Sequence, residues 1–118
     1  MKTINELKDG DTVWIRRTYV STSRTKEVGT AKVRHVLQDE DDVSKMTGFR
    51  HSWIRLIEFD GAPRIHYRPE DGDKPFYSSA GMFNSGFIIY TEKSLLISAL
   101  QSEKKRLVEE VDAFISQI

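Results

Sequence analysis

The feature that most constrains the fold of this 118-residue chain is the spacing of apolar residues over Thr91–Ile118. No proline or glycine interrupts this stretch, and the Thr91 hydroxyl can accept a backbone N–H at its start, as an N-cap does. Apolar residues recur in steps of three, four or seven, which is the period of one helical face. They are Leu96, Leu100, Leu107, Val111, Phe114 and Ile118. The sequence therefore predicts one long C-terminal helix with an apolar face.

The length of this helix leaves two arrangements open. At about 1.5 Å per residue it measures roughly 40 Å, whereas a compact domain of about 90 residues spans only ~25 Å. The helix either folds back along the body or joins copies of the chain in a homo-oligomer. A charged turn, Glu103–Arg106, interrupts the apolar stripe and favours one half covering the body while the other meets a second chain. We expect a homodimer or a higher oligomer through the six apolar positions.

Composition limits the function classes. Eighteen basic residues balance eighteen acidic ones, so no global field draws the chain to nucleic acid or membrane, and there is no cysteine. Disulfides, thiolate zinc sites and cysteine catalysis are therefore excluded. The N-terminus lacks the pattern of a signal peptide, which favours the cytoplasm. We expect a single domain over 1–118, with a β-barrel at 1–90 and the helix at 91–118.

Short runs of β-branched and aromatic residues precede the helix, and polar or glycine-containing turns separate them. They are Thr12–Val20, Lys26–Leu37, His51–Phe59, Arg64–Arg68, Phe76–Ser79 and Phe87–Tyr90. Strands followed by a helix predict an α+β fold. Antiparallel meandering strands with a glycine bend favour a small, partly open SH3-like β-barrel of about five strands, followed by one long C-terminal α-helix.

Local patterns make further predictions. Thr3-Ile4-Asn5-Glu6 matches a capping box, which predicts a short helical turn. Gly29 is expected to mark a bulge or a sharp bend, and Ala31, Val33, His35 and Leu37 are expected to share one face of their strand. Both faces of His51–Phe59 are apolar, so we expect both to be covered, one of them by the helix. The acidic run Asp39–Asp42 is expected to be a solvated loop.

Two segments carry a family resemblance. Leu7-Lys8-Asp9-Gly10-Asp11-Thr12-Val13-Trp14-Ile15 resembles the opening of many SH3-like barrels, and Gly29–Val36 resembles their second strand. With the Tyr90-Thr91-Glu92 entry to a terminal helix, the layout is similar to small accessory proteins of tailed phages. The resemblance implies a context of host takeover or defence evasion, and no catalytic residue is carried over from it.

The outward phase of the strands holds the candidate ligand-binding residues. If alternation holds, these cations point out of the barrel beside an aromatic ring, as phosphate and a stacked base require. They are Trp14, Arg16, Lys32, Arg34, Arg64, His66 and Arg68. The alternative is an ordinary solvated strand face, with arginine stems covering apolar surface.

These residues predict a non-catalytic binding protein whose ligand is a host protein or a phosphate-bearing small molecule. A nucleic-acid-binding barrel using the same face is the first alternative. A small phosphodiester-cleaving enzyme is the second, with His66, Tyr67, Arg68 and Glu58 as its acid–base groups, although alternation separates Tyr67 from His66. The histidines lack the spacing of metal ligands, so no metal and no cofactor are predicted. The acidic loops also allow a mimic of nucleic-acid phosphates that engages a basic host protein.

Overall fold

The computed structural model describes residues 1–38, 54–81 and 83–118. The predicted acidic loop at 39–42, the first residues of the predicted third strand, and Met82 lie outside them. The described elements run in the order 3₁₀ turn Ile4–Glu6, β1 Thr12–Tyr19, β2 Thr25–Leu37, β3 Arg55–Asp60, β4 Ile65–Tyr67, 3₁₀ turn Pro69–Gly72, β5 Phe76–Ala80, β6 Ser85–Tyr90 and α1 Lys93–Ser116. The predicted α+β class is confirmed.

The described strands form one antiparallel sheet with the order β4-β3-β2-β1-β6-β5. The sheet curls into a half-barrel with six strands, where the sequence predicts about five. Four consecutive strands form a meander, and β6 returns to pair with the free side of β1. The β5–β6 hairpin extends the sheet beyond that pairing. The short β4 and β5 therefore stand at the two edges.

The concave face of the half-barrel holds the hydrophobic core. Val13 and Ile15 alternate with outward residues on β1, and they face Ala31 and Gly29 on β2 and Ile89 on β6. The remaining core includes Val33, Ile57, Phe59, Ile65 and Tyr67, with Ile4 and Leu7 from the N-terminal turn. The predicted inward phases of β1 and β4 are confirmed, because this alternation places their apolar residues on one side.

Strand β2 departs from simple alternation at a different residue from the one predicted. Gly29 pairs regularly with Ile15, so the prediction of a bulge there is wrong. The register against β3 shifts between Val33 and His35 instead. Because of the extra residue, the side chains after the shift point to the face opposite from the one that simple alternation predicts. Val36 packs against the core while His35 is exposed, so the expectation that His35 and Leu37 share the face of Val33 is also wrong.

Both faces of β3 are covered, as predicted. Leu56 and Ile57 are adjacent and therefore point to opposite faces, and both are 0% exposed. The helix is not the cover that the sequence predicts, because it packs against β1 and β6. The capping box is confirmed at the N-terminus, where the Thr3 backbone N–H donates to Glu6 Oε1 over 3.2 Å.

Thr91 does not cap the helix. Its hydroxyl donates to the Lys2 carbonyl at 2.5 Å and also lies 3.2 Å from the Pro75 carbonyl, and the residue is buried. Glu92 occupies the N-cap position and α1 begins at Lys93. Thr91 thus ties the start of the helix to the N-terminal segment and to the segment before β5.

The helix extends well beyond the half-barrel. Its 24 residues give a length of roughly 36 Å, and the molecule measures 62 × 28 × 24 Å. Leu96 is buried near the helix start, whereas every residue from Val108 to Ile118 is exposed. This agrees with the prediction that only part of the helix covers the body.

Candidate interaction surfaces

The projecting half of α1 exposes several large apolar side chains. Phe114 is 66% exposed and Ile115 62% exposed, although both side chains are large and apolar. Val108, Val111 and Ile118 are also exposed. Leu100 and Leu107 continue the same side towards the body and are half-buried. Contiguous apolar surface of this kind marks a site of association.

The helix is held to the body along a different side. Glu103 accepts hydrogen bonds from the Thr25 backbone N–H at 2.7 Å and from the Thr25 hydroxyl. About two turns further along, Glu110 forms an ion pair with Arg24 at 3.1 Å. Thr25 and Arg24 belong to the β1–β2 hairpin, which therefore runs beside the helix. The apolar side of α1 is left uncovered because the polar side makes these contacts.

The carboxylate of Glu103 is kept ionised by its partners. Burial alone would raise its pKa, but the two Thr25 hydrogen bonds, with Arg16 and Arg106 nearby, outweigh that effect and lower it. A carboxylate with a lowered folded-state pKa stabilises the fold above its unfolded pKa and loses that contribution as the pH falls. The docking of the helix is therefore expected to be sensitive to acid.

Glu103→Gln is expected to weaken the dependence of the free energy of unfolding on pH in the acid range. Between pH 7 and pH 3 the free energy of unfolding should fall less in Glu103→Gln than in the parent, because the loss occurs as the pH drops below 4.5, the ordinary value for this group. Denaturant titrations at a series of pH values measure this. Glu109→Gln, at an exposed position on the same helix, is the control. If the free energy of unfolding falls equally with acid in the parent and in Glu103→Gln, the lowered pKa of Glu103 is contradicted.

The structure divides the six predicted interface residues into two groups. Leu96 is 7% exposed and packs within its own chain, so it is not available to a partner. The other five lie on the uncovered side of α1: Leu100, Leu107, Val111, Phe114 and Ile118. Ile97, which is 43% exposed, belongs with them and was missed. Its position three residues before Leu100 was the available signal.

The predicted basic set does not form one surface. Arg16 is half-buried beside the helix, where its guanidinium donates to the Tyr90 hydroxyl at 3.2 Å and to the Ser23 carbonyl at 3.3 Å. Trp14 lies on the same face of β1, opposite Tyr90 of β6. Strand β4 lies three strand spacings away, or roughly 14 Å. Arg16 is therefore part of the helix-docking contact, and neither Trp14 nor Arg16 is a neighbour of the β4 cations.

The other predicted cations are exposed. Lys32 lies directly across from Asp60 on β3, which partly offsets its charge, and Arg34 lies at the β2 bulge. Arg64 and Arg68 flank β4, whose central residue, His66, is exposed. The structure thus gathers three of the predicted ligand residues, Arg64, His66 and Arg68, at one edge of the sheet.

A cleft of about 310 Å³ opens beside this edge. It is lined by Ile54, His66, Tyr67, Arg68, Asp71 and Tyr77. The rings of Tyr67 and Tyr77 meet with centroids 5.7 Å apart, and Tyr77 belongs to β5 at the other edge of the sheet. The cleft therefore lies in the gap between the two edges of the half-barrel. Its walls combine the Arg68 guanidinium, the His66 imidazole and the Asp71 carboxylate with two aromatic rings.

A buried polar cluster lies behind the cleft. Arg55 is 6% exposed, and its guanidinium donates to the Leu7 carbonyl at 2.9 Å and to the Asn5 carbonyl. Burial raises the pKa of Tyr67 to about 12, and the neighbouring Arg55 charge does not offset it. Within the described residues, Arg55 Nε, Asn5 Oδ1 and the Tyr67 hydroxyl have no hydrogen-bond partner. Arg55 fastens the N-terminal turn to this end of the half-barrel.

A second cleft, of about 410 Å³, was not predicted. Its lining residues include Arg17, Lys26, Glu27, Pro63 and Phe87. Arg17 forms an ion pair with Glu27 at 2.9 Å and donates to the Gly61 carbonyl at 3.3 Å. The guanidinium of Arg17 is therefore already paired with a carboxylate that lines the same cleft.

Only part of the acid–base set around His66 lies on one face of the sheet: Glu58 shares the outward face with His66, whereas Tyr67 does not. Tyr67 points into the core, and His66 points out of the sheet. Glu58 follows Leu56 on the outward face of β3, and Leu56 is the residue directly across from His66. Over residues 1–38, 54–81 and 83–118, no three histidine or acidic side chains gather as metal ligands would.

Comparison with known proteins gives no match among family models, curated proteins or solved structures. Among the described residues, no helix combines the length and the apolar character needed to cross a bilayer.

Proposed function

We propose that this chain is a non-catalytic binding protein that works as a homo-oligomer joined by its C-terminal helix. The observation that carries the proposal is the uncovered apolar side of α1, where Val111, Phe114 and Ile115 are all more than half exposed. Glu103 and Glu110 hold the other side of α1 to the body. In the single chain the apolar side is left in contact with water, which is unfavourable, and association would cover it.

The proposed ligand surface is the β4 edge. Arg64, His66 and Arg68 alternate along it beside the cleft that Tyr77 lines. Guanidinium groups bind phosphate oxygens in a fork geometry, and an aromatic ring supplies a stacking face for a base. We therefore favour a phosphate-bearing small molecule such as a nucleotide, or a host protein that presents acidic groups, as the ligand.

We also propose the SH3-like description and a phage-type accessory role. The four-strand meander closed by β6 on β1 supports the first, with β5 as an additional edge strand. The layout of a small barrel followed by a terminal helix supports the second. In that role the protein interferes with a host or defence component, in the host cytoplasm.

The assembly is tested by the concentration dependence of the melting temperature. Association with a second copy stabilises the folded state by mass action, so the melting temperature should rise with protein concentration. Over a 100-fold range of concentration we expect a rise of several degrees, on the order of RT ln 100, or about 2.7 kcal/mol, per association step. A melting temperature that does not move over this range would remove the proposal.

The ligand surface is tested by reversing its charge. Arg64→Glu with Arg68→Glu should weaken binding of nucleoside di- and triphosphates by at least about tenfold, as measured by isothermal titration calorimetry. Lys93→Glu with Lys105→Glu makes the same change of net charge on α1 and serves as the control. Equal affinities in the two double variants would exclude this edge. Binding of nucleic acid instead, falling steeply with salt, would favour the nucleic-acid alternative.

A further inference from the structure

The uncovered side of α1 has the spacing of a coiled-coil seam. Starting at Ile97, the residues on that side follow one another in alternating steps of three and four. They are Ile97, Leu100, Lys104, Leu107, Val111, Phe114 and Ile118. In heptad terms, Ile97, Lys104, Val111 and Ile118 occupy a positions, and Leu100, Leu107 and Phe114 occupy d positions. Ile97 to Ile118 span three heptads, and the last position, Ile118, lies just past the final helical residue, Ser116.

The structure agrees with the register. Glu103 and Glu110, which hold the helix to the β1–β2 hairpin, both fall on g positions. The docking side therefore flanks the seam and does not cover it. Val111, Phe114 and Ile118 are exposed, and Ile97 is 43% exposed at the opposite end of the seam. In the single chain the seam is therefore exposed at Ile97, at Lys104 and from Val111 onward, while Leu100 and Leu107 are half-buried.

The residue types select the partner. With one exception the a positions hold β-branched residues, and two of the three d positions hold leucine, a distribution that favours two parallel strands. A single lysine at an a position is a feature that specifies register and oligomer number at a cost in stability. Since the seam is self-complementary, a second copy of this chain is the occupant that matches it.

We propose that two copies pair through this seam as a parallel, two-stranded coiled coil, with Lys104 aligned with the partner's Lys104. The inference rests on the proposed self-association and adds its geometry. In a parallel pair each a side chain inserts among four residues of the facing helix, which for Lys104 are Leu100, Glu103, Lys104 and Leu107 of the second copy. The Glu103 carboxylate then flanks the lysine, so opposite charges meet.

An antiparallel pair lacks this complementarity. Centring the two helices between Leu107 and Val111 would place Lys104 opposite Phe114 and Leu100 opposite Ile118. The two arrangements therefore bring different residues together, and cross-linking can distinguish them. The parent chain contains no cysteine, so single cysteines can be introduced without background.

The test uses Ile118→Cys under mild oxidation. In the parallel pair the two introduced thiols are adjacent, so we expect most of the protein to form a disulfide-linked dimer. In the antiparallel pair they lie roughly 27 Å apart at 1.5 Å per residue, beyond the ~7 Å limit on Cα separation for a disulfide. Ser102→Cys, on the side of the helix away from the seam, controls for random collision. A mixture of Ile118→Cys and Leu100→Cys chains reports the antiparallel pair.

A second measurement addresses Lys104. Lys104→Glu should raise the dimer dissociation constant at least about tenfold more than Lys105→Glu, because only the first places a carboxylate beside Glu103 of the second copy. Lys105 lies outside the seam and undergoes the same charge change. Lys104→Ile should associate more tightly than the parent, because it removes the charge from the seam.

The outcomes separate the two proposals. A monomeric parent overturns both the self-association and this inference, and assigns the seam to a different partner. An oligomeric parent that cross-links only in the mixed Ile118→Cys and Leu100→Cys sample, or that has three or four subunits, overturns the parallel pair alone. Equal effects of Lys104→Glu and Lys105→Glu overturn the proposed register.

Discussion

Val111→Asp is expected to convert the protein to a monomer. Val111 is 55% exposed in the single chain, so a carboxylate at this position costs the folded monomer little. In the assembly the same carboxylate would be enclosed by apolar side chains without a partner, which is unfavourable. The dissociation constant of the assembly should rise by at least about 100-fold. Sedimentation velocity measures the change in mass, and circular dichroism shows that the helix remains.

Ser102→Asp is the matched control for this variant. It adds the same charge to an exposed position of the same helix, on the side opposite the seam. It should leave the mass of the assembly unchanged. If both variants sediment like the parent, the exposed side of α1 does not mediate association.

Gly72→Ala is expected to be the most destabilising single substitution of a glycine within the described residues. Gly72 is buried in the second 3₁₀ turn. A Cβ there would overlap the Asn5 side chain and the Tyr67 ring. Neither neighbour moves easily, because the Asn5 amide donates to the Pro69 carbonyl at 2.6 Å and Tyr67 is packed in the core. Overpacking of this kind costs about 2–3 kcal/mol, which lowers the melting temperature by on the order of 10 °C.

Gly29→Ala is the corresponding control. Gly29 pairs regularly in the sheet, and a Cβ there would contact nothing. Since glycine in a strand interior is less favourable than alanine by roughly 0.5–1 kcal/mol, this variant should match or slightly exceed the parent in thermal denaturation. A Gly72→Ala protein as stable as Gly29→Ala would show that the N-terminal turn is not packed on the half-barrel as described.

The elements that local periodicity specifies could be predicted from the sequence. Alternation on β1 and β4 and the helical period of α1 depend on neighbouring residues, and both agree with the structure. The bulge near His35 could not be predicted, because alternation does not show where a strand gains a residue. Thr91 appeared to be a helix cap because its partners, Lys2 and Pro75, are distant in sequence.

The candidate surfaces were predictable to different extents. An apolar side of α1 follows from the sequence, but adjacent Leu96 and Ile97 are both apolar. Which of the two faces the body is decided by tertiary contacts such as Glu103 with Thr25. Tertiary contacts also decide where the predicted cations lie. Arg16 is held at the helix-docking contact by Tyr90, while Arg64 and Arg68 flank β4. Residues on the same face of a sheet are not necessarily neighbours.

Sedimentation equilibrium of the unmodified protein measures self-association without any substitution. A parallel pair predicts a species of twice the 13.6 kDa chain mass at micromolar concentrations, dissociating on dilution. A single species of 13.6 kDa at every concentration up to about 100 µM, which corresponds to an association free energy weaker than about −5.5 kcal/mol, would contradict it.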